Sequence, residues 1–250
     1  MPKIYSVNVG SNTSHSAIAR SPIFDDGTFI FVSFPTRERV GTQSYTKAAL
    51  PYVRSANSYR THADPDWANL TYGDYCLNPR AGALKRVERG DILLFWGLLW
   101  RNRTGTWEGF TGERAWFVLG ALRVTEFLVG GGSAATIPQS ARKRASHNAH
   151  MDDGITLRNG HRVFVGDLEH SRLLEKAVAL DVAASDGLLY RAFTAANGMP
   201  LTLNGTPSWK SSLRSCRLLW DLDTATGLER ATFVHKAIAK LNGFRLLGGL

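Results

Sequence analysis

The feature that most restricts the fold is the nine-residue apolar run Ile92–Trp100, ILLFWGLLW, with a second run at residues 116–124, WFVLGALRV. A bilayer-spanning helix needs about 20 apolar residues, so neither run crosses a membrane. Their Trp, Phe, Leu and Val content predicts strands over 91–100 and 116–124. The segment between them, RNRTGTWEGFTGER, contains three glycines and reads as a long hairpin loop.

Shorter elements surround this pair. IYSVNV (4–9), FIFVSF (29–34) and RVFVG (162–166) read as strands, and Asp25-Asp26-Gly27 carries a turn signal. In 168–180, Leu168, Leu173, Leu174, Ala177, Val178 and Leu180 recur at helical spacing. Residues 185–197 form a second possible helix, capped by Ser185 and ended by Gly198. A third, 231–241, is closed by Asn242 and Gly243. Residues 35–90 and 129–161 are mostly irregular, a length usually tied to function in an ordered chain. There is no repeat and no linker, so one α/β domain is expected over 1–250, a mixed central sheet flanked by helices with long functional loops.

Charge narrows the function. Thirty Lys and Arg stand against 21 Asp and Glu, a formal +9, and 22 of the thirty are arginine. Such an excess draws polyanions, and guanidinium groups suit bidentate and stacked contacts with phosphates and bases. Together with seven Trp and seven Tyr, this points to nucleic acid. Cys76 and Cys216 cannot build a disulfide framework and lack metal-ligand spacing. The N-terminus MPKIYSVNVGSN has no apolar export segment. A cytoplasmic location is therefore expected, with no membrane and no obligatory protein partner. The P-loop, the dinucleotide G-x-G-x-x-G, the G-x-S-x-G elbow and the zinc-deaminase P-C-x-x-C are all missing. Triphosphate hydrolysis, redox chemistry and deamination lose ground accordingly, and no cofactor is expected.

Three polar clusters and a group of aromatic residues carry the chemistry. Asn8 and Asn12 lie in NVGSNTSH at the end of the first strand, where α/β sheets gather ligands; an amide there can hold a base edge or a water. The same residues would also make an ordinary solvated turn. His62, Asp64 and Asp66 alternate in HADPDW and could bind a metal or hold a water for attack. The competing reading is local, with Asp64 capping a helix, Pro65 in its first position and Asp66 at its positive end. Arg142, Lys143 and Arg144 make a possible phosphate clamp, with Asn148 and His150 as donors to a base or sugar. His147 and His150 alone are a poor zinc set, so no metal is expected. Among the aromatics, Trp96 and Trp116 suit the core, whereas Trp107 in its glycine-rich loop suits a nucleic-acid contact. Trp209, Lys210, Arg214 and Arg217 extend the basic surface.

The segments SPIFDDG (21–27), HADPDW (62–67), GDILLFWGLLW (90–100), FVLGALRV (117–124) and NAHM (148–151), in this order, resemble the nucleotide modification associated domain 3 family. The resemblance spans roughly residues 1–210. It implies work near systems that make or attack hypermodified DNA bases, and an anti-phage DNA glycosylase acting on glucosylated cytosine falls within it. The chain departs from the pattern in having Asn8 and Asn12 where an acid is expected, and Trp67 where a smaller aliphatic residue is expected. The Asn8–Asn12 segment also resembles, loosely, the water-activating loop of uracil-DNA glycosylases, and a sandwich of that kind is one form the fold could take.

The resulting expectation is a glycosylase that hydrolyses the N-glycosidic bond of a hypermodified base in double-stranded phage DNA and leaves an abasic site. Asp64 or Asp66 would supply negative charge beside an oxocarbenium-like sugar, Asn8 or Asn12 the water, and His62 or His150 the proton donor. The target nucleotide would be extruded into a pocket formed by the long loops. A base- or nucleotide-modifying transferase and a non-catalytic modified-base reader are the alternatives.

Overall fold

The computed structural model describes residues 1–37, 42–131, 137–152, 156–180 and 216–248. Its strands are β1 (Lys3–Asn8), β2 (Pro22–Ile23), β3 (Pro35–Thr36), β4 (Arg60–Thr61), β5 (Thr71–Tyr75), β6 (Ile92–Asn102), β7 (Phe110–Val129), β8 (Met151–Asp152), β9 (Thr156–Leu157), β10 (His161–Gly166), β11 (Arg172–Ala179) and β12 (Arg217–Asp221). The helices among the described residues are α1 (Gln139–Ala145) and α2 (Ala225–Asn242). Neither is long and apolar enough to cross a membrane.

Eight of these strands form one sheet in the order β12-β1-β6-β7-β10-β5, with β2 added along β6 and β11 along β7, while β3 with β4 and β8 with β9 make two-stranded sheets. β1 and β2 run parallel to β6, while the β6–β7, β7–β10 and β10–β5 pairs are antiparallel. The sheet is therefore mixed, as the α/β expectation requires. β6 is apolar at nearly every position because both its faces are covered. Ile92, Leu94 and Trp96 pack into the cluster that holds Ala231, Val234 and Ile238 of α2. Leu93, Phe95 and Leu99 pack into the opposite cluster with Tyr5, Val7, Tyr72 and Phe164. Each large side chain so buried is worth about 1.5–3 kcal/mol, which makes β6 and β7 the spine of the molecule.

Several local expectations change. β7 starts at Phe110, so the hairpin loop is much shorter than 101–114; Asn102 holds it by donating to Thr106 O (2.6 Å) and accepting from Gly105 N–H (2.8 Å). Residues 168–180 are not helical. β11 pairs with β7, and a register shift between Leu173 and Val178 lets Leu174, Ala177 and Val178 all be buried from a strand. The demand of β7 for a neighbour overrides the local period, as tertiary context commonly does. Residues 29–34 form no strand beyond a bridge from Phe29 to Ile23. They run as a single extended chain whose Val32 carbonyl accepts from Ser11 N–H. α2 begins earlier than 231, where Thr224 Oγ1 accepts from Gly227 N–H at 3.1 Å, and it ends as expected at Gly243. The helix expected at 185–197 lies outside the described residues.

Candidate active site

The chain leaving β1 turns at Gly10, whose φ of +77° is open to glycine but strained for other residues. It then enters a short 3-10 turn over Thr13–His15. Asn8, at the end of β1, is buried and donates from Nδ2 to Trp96 O at 3.2 Å. Asn12 caps the turn: its Oδ1 accepts from Ser14 N–H at 2.9 Å, and its own N–H donates to His15 Nδ1 at 3.4 Å. Both asparagines face a cavity of about 310 Å³ that is also lined by Phe34, His62, Asp64 and His150.

Residues 62–66 do not start a helix, so the capping role expected of Asp64 is replaced by another. Asp64 is 6% exposed. Its two oxygens accept the Gly73 N–H at 2.9 and 3.0 Å, and Asn148 Nδ2 stands 3.4 Å from Oδ1. On the cavity side, His150 Nε2 is 3.1 Å from Asp64 Oδ2, and His62 Nε2 is 3.2 Å from His150 Nε2. Burial pushes the Asp64 carboxyl above its ordinary range, opposed by the hydrogen bond and charge of His150, by His62 and by Gly73. Among the described residues, His62, Asp64 and His150 form a group able to hold a metal ion.

β5 and the 148–150 segment bring these groups together. A Cβ at Gly73 would lie 2.3 Å from His150 Cδ2 and 2.7 Å from Asn148 Oδ1, so only glycine lets the two side chains cross the strand here. Asn148 is buried and fixes the corner, donating to Thr71 Oγ1 (3.1 Å) and accepting from His150 N–H (3.1 Å). Beside it Tyr72 donates to Asp74 Oδ2 at 2.7 Å, and burial followed by the Asp74 charge holds the phenol well above its ordinary pKa. A column of rings runs through the site: His15, Phe34, His62, His150, His161 and Tyr75, with successive centroids 4.8–5.7 Å apart.

Of the residues singled out from sequence, Asn8, Asn12, His62, Asp64 and His150 meet at the cavity, with Asn148 behind them. Asp66 does not join them. Its carboxylate closes a turn, accepting from Ala68 N–H (3.1 Å), Asn69 N–H (3.2 Å) and Asn69 Nδ2 (2.7 Å). The Arg142–Arg144 cluster lies on α1 rather than in a loop. Arg142 donates to Ile137 O (3.3 Å) and Arg144 to Gly166 O (2.7 Å), while Lys143 is exposed. Trp107 sits between the guanidinium groups of Arg20 and Arg54, at 4.9 and 4.8 Å, against Phe110. Arg217 is on β12, and Lys210 and Arg214 fall outside the described residues. Phe34, Tyr72, Asp74, Asn78 and Arg80, none of them singled out from sequence, also line the cavity, as does His15, which closes the NVGSNTSH segment but has no role assigned from sequence. The one signal among them was TYGDY, where a carboxylate and a glycine interrupt a strand.

A family model described as nucleotide modification associated domain 3 matches residues 3–219, a span that contains every cavity residue. No curated protein and no solved structure matches the chain.

Proposed function

The chain belongs to the nucleotide modification associated domain 3 family, and from that premise we propose that it is a DNA glycosylase acting on a hypermodified base. The substrate in this reading is glucosylated hydroxymethylcytosine in phage DNA, and the product is an abasic site. The observation that carries the reading is the buried Asp64 carboxylate, held at the cavity wall beside two imidazoles and two amides. A cavity of about 310 Å³ is the size of a small-molecule site and suits a nucleotide turned out of its duplex.

Hydrolysis of an N-glycosidic bond develops positive charge on the sugar, as in glycoside hydrolysis. Asp64 offers a fixed negative charge to that sugar, and the low-dielectric setting that raises its pKa also strengthens its pull on the developing cation. Asn8 and Asn12 hold the water whose oxygen bonds to C1′ as the C1′–N bond breaks. The proton released by that water is balanced by one delivered to the departing base, from His62 at the more open side of the trio. Phe34, which lines the cavity between His15 and His62 in the ring column, gives the extruded base an apolar wall. Arg80, exposed at the cavity edge, provides positive charge for a flanking phosphate.

The reading is tested by mass spectrometry of small products after the protein meets phage DNA containing glucosylated hydroxymethylcytosine, with unmodified DNA alongside. Free modified base and matching abasic sites, in the modified sample alone, are expected. Tight binding to the modified DNA without any release would replace the glycosylase by a reader.

A further inference from the structure

We propose that His62, Asp64 and His150 bind a divalent transition-metal ion of the zinc class at the cavity wall. Their donor atoms converge: His62 Nε2 to His150 Nε2 is 3.2 Å, His150 Nε2 to Asp64 Oδ2 is 3.1 Å, and His62 Nε2 to Asp64 Oδ2 is 4.0 Å. Ligands at 2.0–2.1 Å from a tetrahedral zinc stand about 3.3 Å from one another. Two edges of the triangle are already close to that length. The third closes with a shift of about 0.7 Å, and His62, whose side chain is 18% exposed, is the ligand with room to make it. The two imidazole planes stand at 81° with centroids 4.8 Å apart, so the rings approach through their nitrogens and not face to face.

Hydrogen bonds within the trio do not link its three atoms to one another at once. A ring nitrogen carries at most one hydrogen, directed along a single line in the ring plane. If His150 Nε2–H points at Asp64, it does not also point at His62. If the proton sits on His62 Nε2, the lone pair of His150 faces a carboxylate lone pair. A cation takes one lone pair from each atom at once, and its charge offsets a buried carboxylate.

The surroundings are built for the same end. Gly73 N–H and Asn148 grip Asp64 from behind, while Asn148 also holds the backbone of His150. Such outer hydrogen bonds orient the Asp64 ligand, and they hold His150 by its backbone and not by its ring. Three protein ligands leave the fourth position open to the cavity, the pattern of a reactive rather than a structural zinc site, and a water held there has its pKa drawn toward about 7. With an ion bound, both Nε2 atoms would be ligands and the Asp64 charge would be offset, so the proton donation by His62 and the charge stabilisation by Asp64 described above belong to the metal-free protein. The pair that sequence spacing offers, His147 with His150, is not the one assembled: His147 is exposed, and the group that converges with His150 is His62 and Asp64.

This inference rests on the geometry of the trio and not on the glycosylase reading, so the two fail separately. The test strips the untagged full-length protein with a chelator and titrates it with Co²⁺, then with Zn²⁺. Expected are one equivalent of Co²⁺ with the strong visible absorption of a tetrahedral N/O site, and its displacement by Zn²⁺. His62→Ala should weaken Co²⁺ binding by more than about 100-fold, beyond the loss of a merely supporting residue; His147→Ala should leave it unchanged. Folded wild-type protein that gives no cobalt spectrum overturns the proposal, as does binding that survives His62→Ala or falls equally in His147→Ala.

Discussion

Alanine at position 73 would place a methyl group 2.3 Å from His150 Cδ2, 2.7 Å from Asn148 Oδ1 and 3.0 Å from His150 Cγ. Carbon atoms in contact rest about 3.5–4.0 Å apart, so His150 must retreat by about 1–1.5 Å or β5 must move. Asn148, 3% exposed, has little space to yield, so His150 gives way toward the cavity it lines. Overpacking of this kind costs about 1–3 kcal/mol, which for a chain of this size lowers Tm by about 2–12 °C. The Gly73 N–H survives the substitution, so the grip on Asp64 is kept while the 3.1 Å approach of His150 is lost. A catalytic group misplaced by about 1 Å costs about 10²-fold in rate. Single-turnover release of modified base from phage DNA, with thermal unfolding on the same samples, reads both quantities. Gly73→Ala protein with the wild-type rate and Tm would show that His150 is not held where the strand crossing puts it.

Asp66→Ala separates the two carboxylates of the DPD turn: it should cost about 1 kcal/mol from lost turn hydrogen bonds and keep base release, as judged by urea midpoint and product assay. His235 is held below the ordinary imidazole value by burial, then by Arg245 and Lys236, and its Nδ1 accepts Leu247 N–H. As pH falls through 6.5 the unfolded chain takes up a proton that the folded chain resists, so stability declines with acid. His235→Gln should therefore show a flatter dependence of urea midpoint on pH between about 7 and 5.5 than wild type, and equal slopes would contradict this. Trp107→Ala removes a ring flanked by two guanidinium groups and should destabilise by about 1–2 kcal/mol from those contacts, again measured by urea unfolding.

How much of this was legible depended on whether one segment carried its own signal. The β6–β7 spine was, because strands covered on both faces are apolar throughout and need no partner to be recognised. β11 was not. Leu173, Leu174, Ala177 and Val178 fit a helix, and only pairing with β7 through an irregular register makes them a strand. The FIFVSF segment has the aromatic and β-branched content of a strand, yet it is tied to β2 and to the turn after β1 by single bonds. At the site, Asn8, Asn12, His62, Asp64 and His150 were readable because polar residues at a strand end or in a dense cluster stand out. Their grouping was not, for the Asn148 corner lies 84 residues from Asp64, and nothing in the short stretch to Gly73 shows that the two side chains cross the strand there. Asp66 looked equivalent to Asp64, and only the turn to Ala68 and Asn69 distinguishes them.

The central claim is that the Asp64 carboxylate drives hydrolysis of the glycosidic bond, and Asp64→Asn tests it most directly, because the amide keeps the size of the side chain and removes the charge. Binding to glucosylated phage DNA and release of the modified base are measured on the same folded protein. The account predicts binding close to wild type with release slowed by about 10²–10³-fold. Release at the wild-type rate would contradict it.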